Sequence, residues 1–180
     1  EPPPGEYFSP TDAPARLASL REKLLLLDAA GVDRTYVCRF DARRAAQSAH
    51  AFIEDTLVRG LGVRHLYIGD DFCFGARRQG DFAMLQEAGK KYGFDVESMP
   101  TLGLHNERVS SSAVREALVI GDLAHAAHLL GRPYSSAGRV SHGDKIGRQL
   151  GFPTANILMQ HRRPALTGVY AVSVEGLAKD

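Results

Sequence analysis

Three short stretches of the chain gather residue types that handle phosphates and flat heteroaromatic rings. The first is Gly69-Asp70-Asp71-Phe72-Cys73-Phe74-Gly75. Two aromatics and two carboxylates within seven residues suit a planar ring with polar edges, while the plainer reading is a surface turn anchored by its phenylalanines. The second is Val109-Ser110-Ser111-Ser112-Ala113-Val114-Arg115 at the start of a helix. There the unpaired backbone N–H groups, the serine hydroxyls and the positive end of the helix dipole converge, with Arg115 one turn in, so a phosphate could be held. Serines before a helix are more often simple caps. The third runs through Gly138-Arg139-Val140, His142-Gly143-Asp144, Gly147-Arg148 and Gly151-Phe152-Pro153-Thr154-Ala155-Asn156. Glycines at this density let backbone approach a polyphosphate, and the Thr154 hydroxyl and Asn156 amide, two residues apart, can serve a hard cation bridging phosphates. The plainer reading is a barrel hairpin with flexible glycines, with His142 on its surface.

The elements that must position these stretches follow from periodicity. Thr11-Asp12 offers caps ahead of Pro14, and Leu17, Leu20, Leu24 and Leu27 then recur at helical spacing. Tyr36-Val37-Cys38 has strand character. Ala46, Ala49, Ile53 and Leu57 form a second apolar stripe that Gly60 and Gly62 close. The spacing predicts a strand over His65–Ile68, which ends where the first stretch begins, as ligand-binding loops do in open parallel sheets. Asp81 can cap a helix carrying Phe82, Leu85 and Tyr92, with a strand over Phe94–Val96 after it. Short helices are expected at 112–119 and 122–130. Alternating helices and strands indicate an α/β parallel sheet. Gly131-Arg132-Pro133 then marks a boundary, beyond which glycine-punctuated strands (Ala137–Ser141, Gly168–Val174) suggest a β-barrel. Two domains are expected, 1–132 and 133–180.

The 180 residues carry 22 Lys+Arg against 21 Asp+Glu and are 44% hydrophobic, so disorder, collagen and coiled coil are poor fits. No apolar run approaches the roughly 20 residues a bilayer helix needs, and no signal segment opens the chain, so a cytoplasmic protein without a membrane partner is expected. Near-neutral charge argues against a nucleic-acid partner. The basic pairs Arg77-Arg78 and Arg162-Arg163 lack interleaved aromatics and read as solvated surface. Cys38 and Cys73 have no metal-ligand spacing. Oligomeric state is not legible.

Assembled in order, Gly69-Asp-Asp-Phe-x-Phe-Gly75, Val109-Ser-Ser-Ser-x-x-Arg115, Gly138-Arg-Val-x-His-Gly143, Gly147-Arg148 and Gly151-Phe-Pro-Thr-Ala-Asn156 resemble the prokaryotic bifunctional riboflavin kinase/FMN adenylyltransferases, also called FAD synthetases. The resemblance implies a Rossmann-like nucleotidylyltransferase domain followed by a riboflavin kinase barrel, here a partial one. It implies ATP, riboflavin, FMN and FAD as substrates and products, with Mg²⁺ as cofactor. Gly69, Asp70, Asp71, Phe72, Phe74 and Gly75 would line the flavin and ATP region of the adenylyltransferase, and Ser111, Ser112 and Arg115 would meet ATP phosphates. In the kinase, Thr154 and Asn156 would hold Mg²⁺ and phosphates, within a site that also takes in Gly138, Arg139, Gly151, Phe152 and Pro153. The loop from His142 through Gly143 and Gly147 to Arg148 would close over nucleotide.

The family's His-x-x-His element and its kinase carboxylate base have no match within residues 1–180. A fragment of a longer protein, with impaired catalysis and unpaired sheet edges prone to association, is therefore expected. The alternatives are a flavin- or nucleotide-binding module without catalysis and, ranked below it, a nucleic-acid-binding protein.

Overall fold

A computed structural model of the chain describes residues 3–69, 71–104, 107–143, 147, 151–152, 154–159 and 163–176. Its contacts divide into two compact units, one of Glu1–Pro14 with Arg34–Arg108 and one of Ala15–Asp33 with Val109–Asp180.

In the first unit, α1 (Pro4–Phe8) is followed by α3 (Ala42–Ala46) and α4 (Ala49–Ala51), which continues with wider, π-type winding over Phe52–Leu61. Three residues of the stripe expected from spacing, Ala49, Ile53 and Leu57, are in the core, whereas Ala46 ends the separate helix α3 and is exposed; Gly62, in the left-handed region at φ 58°, ends the winding. β1 (His65–Ile68) pairs in parallel with β2 (Asp95–Ser98), His65 opposite Asp95 and Ile68 opposite Ser98. Between them runs α5 (Phe82–Tyr92), whose N-terminus is capped as expected by Asp81, accepting from Met84 N–H at 2.9 Å. The resulting βαβ unit packs Leu85, Ala88 and Phe94 against Ile53, Leu57 and Phe74. Leu85 is fully buried, which contributes about 2–3 kcal/mol. β3 (Gly103–Leu104) and β4 (Glu107–Arg108) form a short antiparallel pair.

The second unit holds α2 (Leu20–Ala29), α6 (Ser111–Val119) and α7 (Leu123–Leu130). The helix expected after Thr11-Asp12 begins later, at Leu20. Ser19 and Glu22 form a reciprocal capping box, each side chain bonding the other's backbone N–H, and this satisfies the first turn better than a lone upstream cap. Helices α6 and α7 lie where spacing put them and bury Val114, Ala117, Leu118, Ala126 and Leu129. Gly131 ends α7 at φ 68°. β5 (Arg139–Ser141) pairs antiparallel with β6 (Asn156–Leu158).

Two expected strands are absent. Residues 36–38 and 168–174 are not strands, and Tyr36, Val37, Val169, Val172 and Val174 are exposed. A strand exists by pairing its backbone groups, and the described residues offer these segments no partner ladder. Mixed helix and strand content therefore stands, while the described strands form three separate pairs and no closed barrel.

Candidate functional site

The loop after β1 is held at both ends. Phe72 N–H donates to Gly69 C=O at 3.1 Å, and Phe74 and Gly80 exchange backbone hydrogen bonds at 3.0 and 2.9 Å. Phe74 is 7% exposed and packs on Phe52, while Phe72 stacks on Phe74 at 5.7 Å and stays 39% exposed. One phenylalanine thus anchors the loop in the core and the other offers a face to solvent. Asp71 pairs with Arg108 at 3.6 Å. Gly75 sits at φ 74° with its Cα against Ala49, where a side chain would meet backbone. Asp70 lies outside the described residues.

At the start of α6 the three serines have separate jobs. Ser110 is the cap, its hydroxyl accepting from Ala113 N–H at 3.1 Å. Ser111 and Ser112 follow it, exposed, at the first two helical positions, and among the described residues their N–H groups have no partner. Arg115 is half-buried and fixed, its Nε donating to Ala15 C=O at 2.7 Å. The two ends of its guanidinium make no other bond among the described residues. A helix end with open N–H groups, two hydroxyls and an immobilised arginine one turn in is chemically an oxyanion receptor.

The third stretch folds back on itself. The β5–β6 ladder sets Ser141 opposite Asn156 and Arg139 opposite Leu158. Gly143 comes so close that an added Cβ would collide with the Asn156 amide. Gly147 likewise abuts the Phe152 carbonyl and the Thr154 methyl, and its own carbonyl accepts from Phe152 N–H at 2.7 Å. Gly138 lies against Ile157 and Leu158, and Gly151 has φ 78°. Residues scattered over nineteen positions, 138 to 156, are thus gathered around Thr154 and Asn156, both exposed. His142 is exposed beside them. Asp144, Arg148 and Pro153 lie outside the described residues. A hydroxyl and an amide oxygen flanked by side-chain-free backbone form a donor set that fits a hard, oxygen-seeking cation carrying phosphates. Among the described residues no group of three His, Cys, Asp or Glu could hold a metal, and no helix is long and apolar enough to cross a membrane.

Sequence reasoning missed two features. Tyr92 Oη donates to Glu54 Oε1 across 38 positions, and this bond holds the Glu54 carboxyl below its ordinary value. A basic cavity beside α3 and α4 involves Arg39, Arg43 and Arg44. The Arg43-Arg44 pair was its available signal, but helical periodicity explained only the alanines around it.

The family model described as FAD synthetase matches residues 1–113, ending two residues before Arg115, and the one described as Riboflavin kinase matches residues 130–179. The chain is 51% identical over 179 residues to the bifunctional riboflavin kinase/FMN adenylyltransferase of Escherichia coli (strain K12), covering 99% of this chain and 57% of that protein. It is 53% identical over 171 residues to the protein of the same name from Haemophilus influenzae, covering 95% and 56%. The chain thus spans a little over half the length of these curated relatives. A solved structure described as a macrolide-efflux protein from Streptococcus pneumoniae superposes with a TM-score of 0.64 at 27% identity, covering 80% of this chain and 46% of that one. With one family model matching well over half of its residues, the chain belongs to the FAD synthetase family.

Proposed function

We propose that the complete protein carrying these residues makes flavin cofactors in the cytoplasm by two ATP-dependent steps. In the first, the γ-phosphate of ATP moves to the ribityl hydroxyl of riboflavin, giving FMN and ADP. In the second, AMP from another ATP joins the FMN phosphate, giving FAD and pyrophosphate. The observation that carries this reading is the co-occurrence of two family matches in one chain, the first spanning Gly69–Gly75 and Ser110–Ser112 and the second spanning Gly138–Asn156. In this proposal, 1–132 belongs to a Rossmann-like adenylyltransferase domain and 133–180 to a riboflavin kinase barrel.

Each step is chiefly a matter of position and charge, because phosphoryl and nucleotidyl transfer move negative charge onto phosphate oxygens and leaving groups. For the adenylyltransferase, Phe72 offers an exposed ring to the flavin while Phe74 fixes the loop. The Ser111 and Ser112 N–H and hydroxyl groups, with Arg115, take the ATP phosphates. For the kinase, backbone at Gly138, Gly143, Gly147 and Gly151 lets polyphosphate approach, and Arg139, His142 and Phe152 border that approach. Thr154 and Asn156 are the residues that would hold Mg²⁺, which when bound neutralises charge on the phosphates.

The test supplies the complete protein with ATP and Mg²⁺, plus riboflavin or FMN, and follows the two products separately by chromatography. Formation of FMN in one reaction and FAD in the other is expected. Binding of the flavins and ATP without either product would reduce the protein to a binding module and overturn the proposal.

A further inference from the structure

Glu22 stands outside the three motif stretches, yet both of its carboxylate oxygens are engaged. Oε2 accepts from Ser19 N–H at 2.6 Å, closing the capping box of α2, and Oε1 accepts from Ala137 N–H at 2.6 Å, across 115 positions. Glu22 falls within the residues matched by the FAD synthetase model, and Ala137 within those matched by the Riboflavin kinase model. One side chain therefore ties a helix of the first match to the residue just before Gly138-Arg139 in the second.

Both ends of this tie are seated. On the helix side, Ala15 and Leu17, just ahead of α2, pack on the buried cluster that includes Val114, Leu118 and Leu129, and the Ser19 hydroxyl accepts from Glu22 N–H at 3.2 Å. On the strand side, Tyr134 packs on the same cluster, and its phenol is pushed above the usual value of 10.0, first by burial and then by the Glu22 charge. Beyond Ala137, Gly138 lies so close to Ile157 and Leu158 that an added Cβ would collide with both, and Ser136 Oγ donates to Met159 Sδ at 2.9 Å. The β5–β6 ladder itself has only three residue pairs, too few to be rigid alone. A carboxylate accepting from backbone N–H is among the stronger hydrogen bonds, so Glu22 is a firm anchor for it. The last pair sets Ser141 opposite Asn156, and a shift at Ala137 is carried along β5 to that amide.

We propose that Glu22 is a positioning residue for riboflavin phosphorylation: it fixes the start of β5 and, through the β5–β6 ladder, the placement of Asn156. The inference rests on the two-step function proposed above. Glu22 supplies no chemistry to the reaction and acts by holding Ala137. A residue of α2, inside the FAD synthetase match, thus serves the kinase step.

The experiment follows FMN formation from riboflavin and FAD formation from FMN separately in the complete protein. The variants are Glu22→Ala, Ala137→Pro, the two combined, and Ser19→Ala. Proline lacks the N–H that Glu22 accepts, so Ala137→Pro breaks the tie and leaves the α2 cap whole, whereas Ser19→Ala opens the cap and leaves the tie. Glu22→Ala and Ala137→Pro should each lower kcat for FMN formation by about tenfold with the KM for riboflavin nearly unchanged, and the double variant should fall no further, because both remove one bond. FAD formation in all of them, and FMN formation in Ser19→Ala, should stay within about twofold of the unsubstituted protein, since neither depends on the tie. Amide hydrogen exchange over β5 should quicken in Glu22→Ala and Ala137→Pro but not in Ser19→Ala. If Glu22→Ala fails to fold, Ala137→Pro set against Ser19→Ala answers alone. FMN formation within about twofold of the unsubstituted protein after Ala137→Pro, or an equal loss in Ser19→Ala, overturns the inference and leaves the two-step function standing. No FMN from the unsubstituted protein overturns both.

Discussion

Replacing Gly75 by alanine tests whether the loop after β1 is held by close backbone packing. Gly75 has φ 74°, and an ideal Cβ there would lie 2.6 Å from Ala49 N, 2.7 Å from its Cα and 2.9 Å from its Cβ. None of these is the end of a flexible side chain. Ala49 is 2% exposed at the first position of α4, and that end is fixed by Ser48, whose hydroxyl accepts from Ala51 N–H at 3.1 Å. Ala76 N–H also donates to Gln47 C=O at 2.7 Å, so loop and helix cannot part without losing that bond. At φ 74° and ψ 172° Gly75 lies in a region essentially reserved for glycine, which costs an alanine roughly 1–3 kcal/mol, and overpacking a rigid contact adds roughly 1–3 kcal/mol. A total of about 2–6 kcal/mol is expected. Gly62→Ala is the control, because Gly62 has φ 58° with nothing within 4 Å of its Cβ position, so only the backbone cost of about 1–2 kcal/mol applies. Urea unfolding followed by far-ultraviolet circular dichroism gives both values. Equal losses for the two variants would show that the contact with Ala49 is not tight and that the loop is not pinned there.

Ser19→Ala removes one half of the capping box and should cost about 1 kcal/mol, read as a lower urea midpoint at unchanged slope; no change would mean that the box does not set the start of α2. The Tyr92 hydroxyl holds the Glu54 carboxyl below its ordinary value of 4.5, so this pair adds stability above that pH, lost as pH falls below 4.5 through the folded-state value. Comparing the protein with Tyr92→Phe across pH 3 to 7, roughly the carboxylate range and above, should show a stability gap that is constant near neutrality and narrows in acid; a gap that widens in acid would refute the sign. Gly143→Ala should leave folding intact but displace the Asn156 amide, lowering FMN formation from riboflavin by about 10- to 100-fold, as misplacement of a binding group does.

What was legible in the chain was local. Apolar periodicity with a matching cap located α5, from Asp81 to Tyr92, because both signals lie within one segment. The strand over His65–Ile68 was legible for the same reason, being bounded by Gly62 and Gly69. Tyr36–Cys38 and 168–174 have strand composition but no ladder among the described residues, and pairing is a property of two segments that composition of one cannot supply. The start of α2 was misplaced because a single Asp or Thr cap is a weaker signal than the reciprocal Ser19–Glu22 pair eight residues later. In the candidate site, the glycine strings were visible as motifs. That Gly143 abuts Asn156, that Ser110 rather than its neighbours is the cap, and that Phe74 is spent in the core required the fold.

The central claim is that two separable phosphate receptors serve two successive reactions. The most direct measurement assays FMN and FAD formation separately in the complete protein carrying either Arg115→Ala or Thr154→Ala, each checked for folding. Arg115→Ala should depress FAD formation from FMN while riboflavin phosphorylation stays nearly intact. Thr154→Ala should do the reverse, losing about 3–4 kcal/mol of transition-state stabilisation in FMN formation, as removal of one pre-positioned donor does. Equal loss of both products in either variant, or kinase turnover within about twofold of the unsubstituted protein after Thr154→Ala against that expected loss, would contradict the account.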